Sequence, residues 1–234
     1  MKAIQSIQSL IFGLLLSAGT LLVFTPTVAA APTLPPPEKE VEEFTRELLA
    51  LYDKNKEEYR KDKEAFIKEV DRLLSPVVAF DQIARYVMGK YTRRNPAEVD
   101  KFEKVFKDSL FNFYGNALLS LDDTSLTIDS VDKTSPDQMK KYIEGEIRRI
   151  PVKMKVKTSS RTLEIFYSMV HVNGRWKLRN ITLEGINIAK QFQSQFANAV
   201  DRHGKVEYVV AHWAEIMAAS DTDKNKKKDD KGKK

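Results

Sequence analysis

The start of the chain has a different hydrophobic pattern from the rest. An unbroken apolar run from Leu10 to Phe24 follows Lys2 and leads into the small residues Ala29, Ala30 and Ala31. The run is shorter than the ~20 residues that a membrane-spanning helix needs. A basic residue, a short apolar run and small residues in this order are typical of a secretory signal peptide. We therefore predict a signal peptide over residues 1–30.

After this segment, apolar residues at spacings of three and four predict helices on both sides of a central region. The clearest helix start is Asn95-Pro96-Ala97-Glu98, where Asn95 suits the cap, Pro96 the first turn and Glu98 a capping box. The predicted helical runs span 38–51, 66–74, 80–88, 96–118, 188–200 and 206–216.

Between residues 125 and 183 the period changes to two, as in half-buried strands. Val152, Met154 and Val156 alternate with lysines, and Asn173-Gly174 separates two further runs as a type I′ hairpin turn would. The segment 138–149 is left open between helix and strand. The order of elements predicts an α+β domain over residues 31–220, with helices packed on one face of a curved antiparallel sheet of about four strands.

Charge is concentrated at the chain ends. The net charge is +6, of which residues 221–234 supply +3 and Lys2 supplies +1, so residues 31–220 carry only +2. This near balance disfavours nucleic acid as a partner. The segment 221–234 has no apolar residues, which predicts a disordered lysine-rich tail.

Motifs for catalysis or metal binding are sparse. The chain has no cysteine, no nucleophile elbow and no phosphate-binding loop. His212 and Glu215 lie one turn apart but lack a third ligand, and His171 ends a predicted strand without an identifiable carboxylate partner. We predict no catalytic residues, no cofactor and no metal.

Apolar and aromatic residues on the two predicted layers suit either a filled core or a hollow, ligand-binding one, and periodicity does not separate these. The candidate cavity residues are Val87, Met88, Phe102, Phe106, Phe113, Tyr114, Leu118, Ile165, Tyr167, Met169, Trp176 and Leu178.

Two stretches resemble a known family. The run 80–91, followed by Asn95–Glu98 and the aromatic ladder to Tyr114, is similar to the N-terminal signature of the MlaC (toluene-tolerance) family. The segments 174–178, 183–187 and 193–196 resemble its second signature in the same order. The resemblance covers residues 38–218.

This resemblance implies a soluble, monomeric periplasmic carrier that holds phospholipid acyl chains between sheet and helices. It also implies two partners: an inner-membrane Mla ABC transporter with a hexameric lipid-binding subunit, and an outer-membrane Mla lipoprotein–porin complex. Such a carrier maintains outer-membrane lipid asymmetry without catalysis. The basic residues Arg85, Lys90, Arg93 and Arg94 are the candidate contacts for the head group or a partner.

Three alternatives stay open. Thr92, Asn187 and Gln193 depart from the family pattern, which leaves room for a paralogue carrying a hopanoid or another lipid. A small α+β enzyme acting on an apolar substrate through His171 or an acidic residue of the pocket is the second alternative. The third is an adaptor with a solid core whose basic tail binds anionic membranes.

Overall fold

The computed structural model describes residues 34–119 and 126–219. The predicted signal peptide and the predicted tail lie outside this part of the chain, and so does the side chain of Leu118. The helices are α1 (Pro37–Lys61), α2 (Lys63–Leu74), α3 (Phe80–Met88), α4 (Pro96–Leu119), α5 (Pro136–Ile143), α6 (Ile188–His203) and α7 (Val206–Ala211). The strands are β1 (Thr127–Val131), β2 (Ile150–Lys157), β3 (Thr162–Val172), β4 (Arg175–Leu183) and β5 (Ile186–Asn187).

The segment that the sequence left open starts as a helix. Ser135 accepts a hydrogen bond from the backbone of Gln138, and the Gln138 side chain accepts one from the backbone of Ser135, which completes a capping box for α5. The predicted box at α4 is absent although the helix begins at Pro96 as expected. There the Asn95 amide donates to the Tyr91 carbonyl, and Glu98 pairs with Lys101 at 2.8 Å.

The C-terminal helices follow the predicted order with one difference. Gly204 ends α6 in the left-handed region with a φ of +72°. The last predicted helix is interrupted at His212, whose φ of −109° and ψ of +19° are not helical, and helix resumes over residues 213–219. No helix within the described residues is long and apolar enough to cross a membrane.

The sheet is an antiparallel meander in the order β1-β2-β3-β4-β5. The predicted hairpin is confirmed, since Asn173 and Gly174 have φ values of +53° and +78° between β3 and β4. The expected count of about four strands is exceeded by β5, which pairs through only two residues and is too short for a period to show.

The two faces of the sheet differ in polarity. Lys153, Lys155 and Glu164 lie on the outer face, where Lys153 pairs with Glu164 at 2.6 Å. The inner face is apolar and carries Ile150, Val152, Met154, Ile165, Tyr167, Met169, Trp176 and Leu178. Helix α1 packs against β1 and β2, whereas α3 and α6 pack against β4. The helices therefore cover one face in two groups, as an α+β domain requires.

A helical core supports the β4 side of the sheet. Phe102, Phe196 and Trp213 are fully buried, and the Phe102 ring lies 4.8 Å from that of Phe196 and 5.2 Å from that of Trp213. Edge-to-face contacts of this kind add about 0.5–1.5 kcal/mol per pair beyond burial. This cluster fixes α4, α6 and residues 213–219 relative to one another.

Candidate functional site

An apolar cavity of about 340 Å³ lies between β4 and the helices. The volume is at the lower end of the roughly 300–1,000 Å³ range of ligand pockets. The exposed Tyr114 at its rim shows that the cavity reaches the surface. Its lining comprises Leu74, Val78, Phe80, Ile83, Phe106, Leu110, Phe111, Tyr114, Leu178, Arg179, Asn180, Ile181, Leu183, Ile188, Ala189 and Phe192.

Two aromatic pairs hold the helical wall of the cavity in place. Phe80 of α3 meets Phe111 of α4 with ring centroids 5.5 Å apart and planes at 87°. Phe106 of α4 meets Phe192 of α6 at 5.3 Å and 88°. Because each pair joins two helices edge to face, the space beside β4 is kept open by rigid rings rather than filled by flexible chains.

A β-bulge in β4 determines which side chains form the sheet wall. Met169 pairs with Leu178, but Ser168 pairs with Asn180, so Arg179 is an extra residue without a partner on β3. If Arg179 were paired as a regular strand residue, strict alternation from Leu178 would turn Ile181 away from the helices. The bulge restores Ile181 and Leu183 to the inner face, where both line the cavity.

The outer edge of β4 is open for three residues beside the cavity. On one side of this opening Val78 bridges Leu178, and on the other Asn187 of β5 pairs with Thr182. No strand of the described residues 34–119 and 126–219 pairs with residues 179–181 on this edge. We call these three residues the edge window.

A small polar pocket of about 60 Å³ adjoins the cavity at the edge window. It shares Arg179, Asn180 and Ala189 with the cavity and is completed by Tyr86, Arg149, Ser168 and Asn187. The Asn180 carboxamide oxygen accepts a hydrogen bond from Ala189 N at 3.0 Å, which ties α6 to the window. The apolar cavity therefore ends at a polar, basic opening.

The predicted cavity residues fall into three groups. Phe106, Tyr114 and Leu178 line the cavity. Val87, Met88 and Phe102 belong to the buried helical core, and Phe113 packs against that core and Tyr114. Lipid contact at any of these positions remains a prediction.

Of the remaining five, Leu118 has its side chain outside the described part of the structure, and the other four lie on the inner face but are absent from the cavity lining. Tyr167 packs against Phe44 of α1 at 5.7 Å between ring centroids, and Met169 is fully buried. The Trp176 indole donates to the Pro35 carbonyl at 2.6 Å. Ile165 pairs with Met154 and Leu183 across the neighbouring strands. The two-residue period identified the inner face of the sheet correctly. It did not indicate which residues of that face are covered by α1 and which line the cavity.

The four basic residues predicted for head-group or partner contacts lie away from the cavity lining. Arg85, Arg93 and Arg94 are exposed near the end of α3, and Lys90 lines a separate surface groove with Gln193. Contact with a partner protein at these positions stays a prediction.

Among the residues that the structure describes, groups suited to acid–base catalysis do not gather at the cavity. The His171 ring lies against Trp176, and its backbone N–H donates to the Tyr142 hydroxyl at 2.7 Å. His212 stacks on Tyr208. Burial raises the pKa of Tyr167, but its side chain is not part of the cavity lining. Within residues 34–119 and 126–219, no group of three His, Asp or Glu residues is arranged to hold a metal ion.

Several lining residues were missed at the sequence level although signals for them exist. The spacing of Trp176, Leu178, Ile181 and Leu183 changes phase at Arg179, which is how a bulge shows in a strand. Ile188 and Phe192 share a face of α6 with the buried residue Phe196. Leu74 and Val78 carry no such signal. Their position at the cavity depends on the bridge between Val78, in the α2–α3 connection, and Leu178 of β4.

Three comparisons agree with this architecture. The model of the MlaC protein family matches residues 42–215. The toluene tolerance protein ttg2D of Pseudomonas putida is 36% identical over 186 residues, covering 78% of this chain and 81% of that protein. A phospholipid-binding protein from Ralstonia solanacearum, solved in complex with a phospholipid, superposes with a TM-score of 0.65 at 17% identity, covering 79% of this chain and 98% of its own. The extent of the family match and of the identity to the Pseudomonas protein show that this chain belongs to the MlaC family.

Proposed function

We propose that this protein is a soluble periplasmic phospholipid carrier. The observation that supports this most directly is the apolar cavity, which is lined by four helices and β4 and opens to a basic pocket at the edge window. Acyl chains in the cavity would contact almost only apolar side chains. Each methylene group moved out of water is worth about 0.8 kcal/mol, so such a cavity substitutes for the membrane interior.

Membership of the MlaC family supports a proposal for the partners and the route. We propose that the protein, as a monomer, moves phospholipid between the inner-membrane Mla ABC transporter complex and the outer-membrane Mla lipoprotein–porin complex, and so maintains outer-membrane lipid asymmetry. Two acyl chains leave a bilayer slowly because of their buried area. A carrier that shields the chains removes this barrier without a chemical step.

The first test is to purify the protein from the periplasm of a Gram-negative host without detergent. Native mass spectrometry followed by organic extraction is expected to give a mass excess that resolves into phospholipids. A hopanoid in the extract would replace the phospholipid assignment with the paralogue alternative. A bare protein mass that persists after incubation with phosphatidylglycerol vesicles would overturn the carrier function.

A matched pair of variants on β4 links the loading to the cavity. Leu183 lines the cavity, whereas Thr182 is directed to the opposite face of the same strand. Leu183→Trp is expected to fill cavity volume and lower phospholipid loading severalfold, while Thr182→Trp keeps it. Equal loading of both variants, at unchanged circular dichroism, would contradict binding in this cavity.

A further inference from the structure

The edge window places two arginines at the mouth of the cavity. Arg179 lines both the apolar cavity and the polar pocket, and Arg149 lines the polar pocket directly before β2 begins. Arg179 is half-buried and Arg149 is exposed. The pair thus lies at the boundary between an apolar volume and solvent, where the polar end of an amphiphile would lie.

No acidic residue in the part of the chain that the structure describes pairs with either arginine. Within residues 34–119 and 126–219, neither guanidinium forms an ion pair or a hydrogen bond. The nearby Arg175, by contrast, lies 3.8 Å from Glu40. For the half-buried Arg179, an anionic ligand would supply a charge-assisted hydrogen-bond partner that the described residues do not supply.

The two asparagines of the pocket are already used within the fold. Asn180 accepts from Ala189 N, and Asn187 accepts from Lys190 N at 2.9 Å as the cap of α6. These bonds hold β4, β5 and α6 around the window. The arginines are therefore the cationic donors that remain available at the cavity mouth.

From this arrangement we infer that Arg149 and Arg179 bind the phosphate ester of the cargo as it leaves the apolar cavity through the edge window. This inference rests on the proposed function. The guanidinium group donates in a planar fork that matches phosphate oxygens, and a phosphodiester carries one negative charge whatever alcohol it bears. The site thus selects phospholipids as a class over uncharged diacyl lipids, and it does not select among head-group alcohols.

The test compares two fluorescent lipids with the same chains, each delivered from a cyclodextrin complex without other lipids, one a phosphatidylglycerol and the other a diacylglycerol. The variants are Arg149→Gln, Arg179→Gln and the double variant, with Arg148→Gln as a matched control because Arg148 is exposed and lines neither pocket. Affinity for phosphatidylglycerol is expected to fall about threefold for Arg149→Gln and about tenfold for the half-buried Arg179→Gln. Diacylglycerol binding is expected to stay unchanged in all variants.

The possible outcomes separate the inference from the proposed function. If the wild type binds neither lipid, the carrier function fails. If it binds both lipids equally and the double variant keeps its phosphatidylglycerol affinity, the arginine site fails while carriage stands. Inorganic phosphate titrated alone is expected to show no saturable binding. Saturable phosphate binding that the double variant loses would instead reassign the pair to a soluble phosphate compound.

Discussion

The backbone N–H of Leu178 donates to the carbonyl oxygen of Val77 at 2.7 Å. The neighbouring Ala79 N–H returns a bond to the Leu178 carbonyl at 2.9 Å. These two bonds attach the α2–α3 connection to the edge of β4, as a short parallel bridge at Val78. The connection thereby closes one side of the edge window and brings Val78 to the cavity wall.

Removing one of these bonds should loosen the cavity wall. Ala79→Pro deletes the N–H that Leu178 accepts, and we expect it to lower the free energy of unfolding by about 1–3 kcal/mol and to lower phospholipid retention. Ala79→Ser keeps the N–H and serves as the control. Urea denaturation and native mass spectrometry measure the two effects. Full stability and full loading of Ala79→Pro would show that the attachment is not needed.

Most of the fold was predictable because its signals are local. The helix from Pro96 and the hairpin at Asn173-Gly174 each depend on residues close in sequence, and both are present. The α5 capping box at Ser135 and Gln138 was visible but competed with a strand pattern farther along the chain. The break at His212 carried no local signal, since the apolar face continues across it.

The site was less predictable because it depends on which helix covers which strand. Tyr167 and Leu178 lie on the same face of the sheet, but α1 packs on the former and the cavity lies beside the latter. The cationic residue at the cavity mouth, Arg179, is placed by a bulge, and Arg149 is brought there by strand pairing. Sequence proximity favoured Arg93 and Arg94 instead, which lie together in one exposed turn.

Two substitutions that introduce a charge should distinguish a cavity residue from a core residue by their effects on lipid loading and on stability. Tyr114 lines the cavity and is 46% exposed, whereas Met169 is fully buried outside the lining. Tyr114→Asp is expected to lower phospholipid loading severalfold while costing about 1 kcal/mol of stability through its contact with Phe113. Met169→Asp is expected to cost about 3 kcal/mol or more, because it buries a charge.

Native mass spectrometry and thermal unfolding on the two proteins check this contrast. Because Tyr114→Asp is expected to keep the fold, near-ultraviolet circular dichroism serves as its control. The assignment of Tyr114 to the cavity would be contradicted if Tyr114→Asp unfolded. The assignment of Met169 to the core would be contradicted if Met169→Asp stayed folded but lost its lipid.

Gly89 is required at the end of α3 for two reasons. Its φ of +52° with a ψ of −120° is unfavourable for residues with a side chain, and an added Cβ would lie 3.0 Å from Gln193 Nε2. That amide donates to the Tyr86 carbonyl at 2.7 Å. We expect Gly89→Ala to cost about 2 kcal/mol, against about 1 kcal/mol for Gly204→Ala, whose Cβ would meet nothing within 4 Å.

Chemical denaturation of both glycine variants measures this difference. Adding Gln193→Ala to Gly89→Ala is expected to recover the part of the loss due to the close contact but not the part due to the backbone. Equal losses at the two glycines would show that the contact with Gln193 has no energetic effect.

Deleting residues 221–234 tests the adaptor alternative. The segment supplies +3 of the net charge, and the cavity is built from residues before it. We expect the truncated protein to transfer phospholipid between vesicles at the rate of the full chain, with any binding to anionic vesicles reduced. A collapse of transfer on truncation would show that the tail belongs to the carrier mechanism.

Alkaline stability should depend on Tyr167, which packs under α1. Burial raises the pKa of its hydroxyl above the usual value of 10.0, because the phenolate would lie among apolar side chains. The folded protein therefore keeps this proton more tightly than the unfolded chain. The stability linked to it is fully present below about pH 10 and is lost as the pH rises through the raised pKa.

Tyr167→Phe removes this proton while keeping the ring that contacts Phe44. The variant is expected to lose less free energy of unfolding than the wild type between about pH 8 and about pH 11. Tyr208→Phe is the control, since Tyr208 is 41% exposed whereas Tyr167 is buried. Other groups common to all three proteins also change charge at alkaline pH. The result is therefore the difference in the pH dependence of unfolding free energy between the variants. If the free energy of unfolding of both variants changes with pH as that of the wild type does, the Tyr167 hydroxyl is ionised as readily in the folded protein as in the unfolded chain. The packing of α1 over this part of the sheet would then be looser than the burial of Tyr167 indicates.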